Sequence, residues 1–355
     1  MRDVTRPENI VSHVSDLIGR TPLLELGSIG TGTRLLLKLE QFNPTGSAKT
    51  RMARAMVDTA EQAGHLAPGG HIIEPTSGNT GLGLALAALE RGYRFTAVVD
   101  HHAAKDKLRA LAAMGTHLVY VSGDTSGGPQ SVRRRQVARE MAAAEPGAHW
   151  LDQHNHPGNS VGYAELAREL LADIFGDVDY LVSSVGTGGA LCGTARELRR
   201  YGSHVRTIGV EPAGSIIFGG AAGKYHQSGG GSPEGFPVGT NVEHSLIDEG
   251  TSATDVDAFA TARVLARRTG LLVGGTAGGA IHVALNRLGG LPDHSTVVAL
   301  VCDAGEKYLD TIYDDDWMRA RGLLSPSAEE HVEHLLDECA GARAGQAAMS
   351  GTGAV

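Results

Sequence analysis

The sequence predicts an α/β fold in which parallel sheets are covered by helices on both faces. Two observations point there. Short apolar, β-branched runs alternate with helical patterns, and several of those runs end in glycine-rich loops that open a helix. A chain of 355 residues is long enough for two domains or one large unit with a substantial core.

In chain order, the candidate strands are "RLLLKLE" (34–40), "HIIEP" (71–75), "RFTAVVD" (94–100) and "HLVYVS" (117–122). They continue with "DYLVSSV" (179–185), "VRTIGVEP" (205–212) and "STVVALVCD" (295–303). Between them lie the helical stretches "KTRMARAMVDTAEQAG", "GLGLALAALERG", "KDKLRALAAMG" and "ATDVDAFATARVLARRTG". The last three end in Gly after an apolar-periodic run, a usual helix stop. The loops "EPTSGNTG", "SVGTGGALCG" and "LLVGGTAGGA" follow strands. In open parallel sheets ligands bind at the carboxyl ends of strands, so three such loops suggest one small-molecule site. The segment "GGAAGKYHQSGGGSPEG" (219–235) reads as a long loop, either a lid or a tolerated insertion. After Leu324 a helical segment gives way to "AGARAGQAAMSGTGAV", which reads as a disordered tail.

The formal net charge of −9 leaves no electrostatic footprint for nucleic acid or an anionic membrane. "RRR" at 133–135 is too short to change that. Three scattered cysteines without metal spacing read as free thiols in a reducing compartment. The start of the chain is charged and lacks a signal-peptide core, and no apolar run is long enough to span a bilayer. These features predict a cytoplasmic protein.

The chain holds only six lysines, and Lys49 follows "NPTGSA" at the start of a predicted helix. A positive charge there opposes the helix dipole. It is either a solvated first-turn lysine or an amine that burial keeps uncharged for condensation with a carbonyl; spacing leaves both open. Backbone N–H groups of Gly186, Thr187, Gly188 and Gly189 could cradle a phosphate, or simply make a tight turn. The loop lacks the G-x-G-x-x-G register and the lysine of a P-loop. Thr76, Ser77, Asn79 and Thr80 offer more donors than a helix cap requires, and suit a carboxylate.

Together, "DLIGRTPLLEL", "FNPTGSAKTR", "EPTSGNTGLGLA", "SVGTGGALCG" and "GLLVGGTAGGA" resemble the cysteine synthase / cystathionine β-synthase family in order and spacing. The resemblance covers roughly residues 10 to 320. It implies pyridoxal-phosphate enzymes of fold type II: two open, twisted, mostly parallel sheets flanked by helices, with the cofactor between two domains. The larger domain would comprise 1–46 and 156–325, the smaller 47–155, and 326–355 a C-terminal helix and tail. "GSIIFGG", "GGPQSVRRRQVAREM" and "CDAGEKYLDTIYDDDW" resemble the branch that makes N-(2-amino-2-carboxyethyl)-L-glutamate, a precursor of 2,3-diaminopropionate in siderophore and antibiotic pathways.

The resemblance makes Lys49 the Schiff-base lysine and then the base and acid for the substrate α-proton. It gives Asn79 to the cofactor ring oxygen, Gly186 to Gly189 to its phosphate, and Thr276 to its pyridine nitrogen. A hydroxyl there makes the cofactor a moderate electron sink and favours β-elimination to an aminoacrylate, to which a nucleophile adds. Thr76, Ser77, Thr80 and Gln153 match the substrate-carboxylate positions. Arg133 aligns with an arginine that could bind an anionic substrate group, and is otherwise a solvated helix-face residue. The chain departs from the pattern at Ala190, where many relatives carry a hydroxyl. It also departs at Gly186 and His154, where the diaminopropionate branch has Ser and Tyr near the donor and acceptor. The donor would be O-phosphoserine or O-acetylserine; the nucleophile an amine such as L-glutamate, or else sulfide or homocysteine. The resemblance also implies a homodimer acting on small amino acids.

Two other readings stand beside this one. "DHH" (100–102) and "DQHNHPGN" (152–159) could meet to bind a metal. A ligand sensor on the same fold would require Lys49 or the carboxylate loop to be degraded, and both are intact.

Overall fold

The computed structural model describes residues 10–30, 32–101, 103, 105–121 and 130–350. The chain opens with an antiparallel pair, β1 (Leu23–Ile29) and β2 (Thr33–Lys38), and then enters α1 (Lys49–Gln62). Strand–helix repeats follow: β3 (His71–Glu74), α2 (Asn79–Arg91), β4 (Arg94–Val99), α3 (Lys105–Ala113), β5 (His117–Tyr120), α4 (Gln130–Ala144) and β6 (Ala148–Trp150). After α5 (Gly158–Val161) and α6 (Ala164–Asp173) come β7 (Tyr180–Ser184), α7 (Gly189–Arg200), β8 (Arg206–Pro212) and β9 (Glu249–Ala253). The chain continues through α8 (Asp255–Thr269), α9 (Gly275–Arg287), β10 (Thr296–Leu300), α10 (Asp315–Ala320) and α11 (Pro326–Ser350).

Two sheets result. One has six strands in the order β1-β2-β10-β7-β8-β9, parallel except for the β1–β2 hairpin. The other has four parallel strands in the order β5-β4-β3-β6. The central strands are buried on both faces, as a parallel sheet under helices requires: β3 and β10 have no exposed residue. One core lies among α1, α2, α6, α7 and strands of both sheets; a second lies under α8, α9 and α11.

The structure adds three strands to the sequence reading. β1 contains Gly27 in an irregular register, β6 has three residues, and β9 is a largely polar edge strand. The helix α11 runs through Ser350, past Ala340, where a disordered tail was expected to begin; 351–355 lie outside the described residues, as do Ser122 and 127–129. The 219–235 segment is docked by hydrogen bonds. The Gly231 N–H donates to the Val185 carbonyl at 2.7 Å, Ser232 N–H to Ser215 Oγ at 2.9 Å, and Gln227 Nε2 to the Ala253 carbonyl at 3.0 Å. No described helix is long and apolar enough to cross a membrane.

Candidate active site

The segment that delivers Lys49 is stitched to the end of β10. Thr45 and Gly46 turn the chain through positive φ (66° and 69°). The next residue, Ser47, forms a β-bridge with Asp303, and the Ala48 N–H donates to the Cys302 carbonyl at 2.8 Å. Lys49 is the first residue of α1, preceded by Ala48, which has no capping side chain. Its Nζ lies 3.4 Å from Thr187 Oγ1. Burial lowers the pKa of this amine, with Cys302 and Asp303 partly opposing the shift. Such an amine is nearer to the uncharged, nucleophilic form than an exposed lysine.

The loop between β7 and α7 faces Lys49, and its glycines are required by space. Gly188 has φ +90°, and a side chain there would run into the Asn241 backbone. A Cβ on Gly186 would sit 2.6 Å from the Gly229 carbonyl oxygen, and one on Gly189 would collide with the Asn159 side chain. The loop opens the 12-residue α7, and amides at a helix N-terminus are suited to an anion. The only hydroxyl in this loop, Thr187, is the one near Lys49, because Ala190 follows the glycines.

Lys49, Asn79, Thr187, Gly188, Thr276 and Asp303 line one cavity. Thr276 is buried in the first turn of α9. Asn79 heads α2; its Nδ2 donates to Asp303 Oδ2 at 2.8 Å, and its Oδ1 accepts from Lys307 Nζ at 2.6 Å. Two buried polar atoms of residues lining this cavity, Tyr163 Oη and Asp303 Oδ1, have no hydrogen-bond partner among the described residues. A desolvated lysine, a glycine cradle at a helix N-terminus and unsatisfied polar atoms fit a phosphorylated aldehyde such as pyridoxal phosphate.

A contiguous cavity of about 280 Å³ shares Lys49, Asn79, Gly186 and Thr187, and extends past Thr76, Ser77, Thr80, Gln153 and His154. Thr76 Oγ1 accepts the Gly81 N–H at 3.1 Å and so shapes the loop from within. Thr80 Oγ1 donates to Gln153 Oε1 at 2.7 Å. Ser131, Arg134, Arg135 and Phe236 line the same cavity. Arg134 reaches Ser77 Oγ at 3.5 Å and pairs with Asp100 at 3.3 Å; Arg135 pairs with Asp152 at 3.1 Å. Among the described residues Arg134 Nε has only this ion pair with Asp100, and Arg135 Nη1 is buried without a hydrogen-bond partner.

The expectation for Arg133 is therefore corrected: it is exposed on α4 and does not line the cavity. Positions 131, 134 and 135 share one helical face, and 133 points away from it. His154 meets Phe236 edge-on at 5.0 Å, and burial pulls its pKa down to about 4, so its ring is neutral. Among the described residues no group of three or more His, Cys, Asp or Glu could hold a metal. His101 stacks on Tyr120, and His102 lies outside the described residues. Sequence reasoning missed Asp303, Lys307, Arg134 and Arg135 as site residues. The signal lay in "CDAGEKYLDTIYDDDW" and "RRR", which carry it only when each residue is weighed singly rather than as part of a motif.

A profile of the pyridoxal-phosphate dependent enzymes matches residues 14–303. A relative from Sinorhizobium fredii (strain NBRC 101917 / NGR234), provisionally named a cysteine synthase, is 50% identical over 324 residues, spanning 91% of this chain and 96% of its own. The N-(2-amino-2-carboxyethyl)-L-glutamate synthase of Ralstonia nicotianae is 36% identical over 341 residues, spanning 92% and 98%. The crystal structure of cysteine synthase from Entamoeba histolytica superposes with a TM-score of 0.81 at 29% identity, covering 95% of this chain and 99% of that one. The chain belongs to the pyridoxal-phosphate-dependent enzymes, in the cysteine synthase-like group that catalyses β-replacement.

Proposed function

We propose that the enzyme replaces the β-substituent of an O-activated L-serine, O-phosphoserine or O-acetylserine, with an amine such as L-glutamate. The product would be N-(2-amino-2-carboxyethyl)-L-glutamate, an intermediate toward 2,3-diaminopropionate in siderophore or antibiotic biosynthesis. One observation carries this choice. Arg134 and Arg135 line the cavity beside the Thr76–Thr80 loop, Arg134 3.5 Å from Ser77 Oγ, so the cavity holds more cationic groups than one α-carboxylate requires. A sulfide nucleophile brings no second anionic group for them to receive. The similarity to the Ralstonia enzyme supports the same reading.

Lys49 would hold the cofactor, Gly186 to Gly189 and Thr187 its phosphate, Asn79 its ring oxygen, and Thr276 its ring nitrogen. When bound, pyridoxal phosphate supplies an electron sink for loss of the α-proton and the β-substituent. The chain's own residues do the rest. Thr76, Ser77, Thr80 and Gln153 receive the substrate carboxylate, and the Lys49 amine takes the α-proton and returns it after the nucleophile has added. His154, neutral and packed on Phe236, lines the approach to this centre without adding charge. Carboxylate binding would draw residues 47–155 toward the larger sheet and exclude water. The assembly we propose is a homodimer, which light scattering would test.

A second reading, cysteine or cystathionine synthesis with sulfide or homocysteine, is supported by the Sinorhizobium relative. Incubation of the holoenzyme with each donor and with glutamate, sulfide or homocysteine, followed by product mass, separates them. A sulfur product formed faster than any amine adduct would overturn the amine assignment.

A further inference from the structure

Lys307 sits where three parts of the active site meet. Its Nζ donates to the Thr45 carbonyl at 2.8 Å, the Gly46 carbonyl at 3.0 Å and Asn79 Oδ1 at 2.6 Å. An ammonium has three protons, and here three oxygens receive them. A neutral amine has two protons and would turn a lone pair toward one of those oxygens. The first two acceptors form the turn that leads into Lys49; the third belongs to the head of α2.

The other face of the Asn79 amide is fixed by opposite charge. Asp303 Oδ2 accepts Asn79 Nδ2 at 2.8 Å and the Tyr308 hydroxyl at 2.6 Å. Flipping the amide would place its oxygen against a carboxylate and its NH2 against an ammonium. Both contacts are repulsive, so Lys307 and Asp303 determine the orientation together. Among the described residues Asp303 is the acceptor of Nδ2, which leaves the second N–H of Asn79 for the cavity it lines. Asn79 and Asp303 are 224 positions apart, one on the small-sheet side and the other at the end of β10.

We propose that Lys307 is a positioning residue: with Asp303 as counter-charge it locks Asn79 with one N–H toward the cofactor cavity, and ties that orientation to the Thr45–Gly46 turn that delivers Lys49. The proposal rests on the reading of Asn79 as a contact to the cofactor ring. The groups facing the Lys307 ammonium are Asp303 and Glu306, which favour the charge, and Lys107, which opposes it. Burial dominates and brings its pKa down to about 8, so the clamp loosens in mildly alkaline solution.

The test uses holoenzyme variants, reading the visible spectrum without substrate and kcat across pH. Lys307→Met is expected to shift the spectrum and lower kcat at least tenfold. In an Asn79→Ala background the same substitution should add less than a twofold effect, because its target is gone. Lys307→Arg keeps a charge that does not titrate, and should abolish the alkaline loss of kcat near pH 8 expected in the parent. This variant carries the test if Lys307→Met does not fold. Independent, multiplying effects of Lys307→Met and Asn79→Ala would overturn the proposal, as would an unchanged spectrum and kcat in Lys307→Met. An alkaline limb retained near pH 8 in Lys307→Arg would do the same. An unchanged spectrum in Asn79→Ala would remove the cofactor contact itself, and the clamp with it. The identity of donor and nucleophile does not enter the spectral readout.

Discussion

Thr80 Oγ1 donates a 2.7 Å hydrogen bond to Gln153 Oε1, joining the first turn of α2 to the segment after β6. Two residues expected to receive a substrate carboxylate thus hold each other. A carboxylate arriving there competes for the Thr80 hydroxyl and frees the Gln153 amide to reorient. Thr80→Val keeps shape and removes the donor. It should raise KM for the amino-acid donor about tenfold, the ~1.4 kcal/mol size of one hydrogen bond to a charged group, with a smaller change in kcat. Steady-state kinetics with varied donor checks this; an unchanged KM would remove Thr80 from the carboxylate site.

Lys49→Ala removes the only amine proposed to carry both the cofactor and the α-proton. Turnover should fall by roughly 10³-fold or more, and the yellow colour of lysine-bound cofactor should be lost. The fold should persist, because among the described residues the Lys49 side chain's one hydrogen bond is the long 3.4 Å contact to Thr187. Circular dichroism and absorbance measured on the same sample read both outcomes. Activity near the parent level would refute the role.

The contiguous motifs made much of this site legible. Lys49, Asn79 and the glycine loop each lie where a strand or turn passes into a helix and line one cavity, so local sequence shows the element that carries them. Asp303 and Lys307 follow β10 and reach Asn79 only through the tertiary fold, so the stretch that contains them does not show what they touch. Arg133 was a matter of helical phase: in a run of three arginines the face turned inward depends on where α4 sits. β6 and β9 were missed for a different reason. Three residues, or five mostly polar ones on an edge, do not show the apolar run by which buried parallel strands are read.

Arg51 stands two residues beyond Lys49, fully buried, with Nε and Nη2 donating to Glu40 at 2.7 and 2.8 Å and Nη1 and Nη2 to Glu169 at 2.8 and 2.9 Å. Arg51→Met would leave the wholly buried Glu40 carboxylate without its counter-charge. The expected loss is about 3–5 kcal/mol of stability, read by urea unfolding. Arg51→Met with Glu40→Leu should recover most of it, since the cost lies in the unpaired charge rather than in the missing pair. A single variant as stable as the parent would show that Glu40 is protonated or solvated in the fold.

Glu74 ends β3 directly beneath the carboxylate loop, fully buried; Oε1 accepts the Gln153 N–H at 3.2 Å, and among the described residues Oε2 has no hydrogen-bond partner. Burial is the main cause that lifts its pKa from 4.5 to about 8, with the Gln153 N–H opposing and Asp152 adding to the rise. Between those values the folded protein keeps a proton that the unfolded chain releases. Stability therefore falls as pH rises through that window and levels off above about pH 8. A tenfold change in proton affinity corresponds to about 1.4 kcal/mol, so the whole effect is on the order of a few kcal/mol. Glu74→Gln copies the protonated form, retaining the oxygen that faces Gln153. It should match the parent near pH 5 and exceed it in stability near pH 9, as judged by urea midpoints at the two pH values. Equal midpoints at pH 9 would mean that the Glu74 carboxylate is accommodated as an ion under the loop.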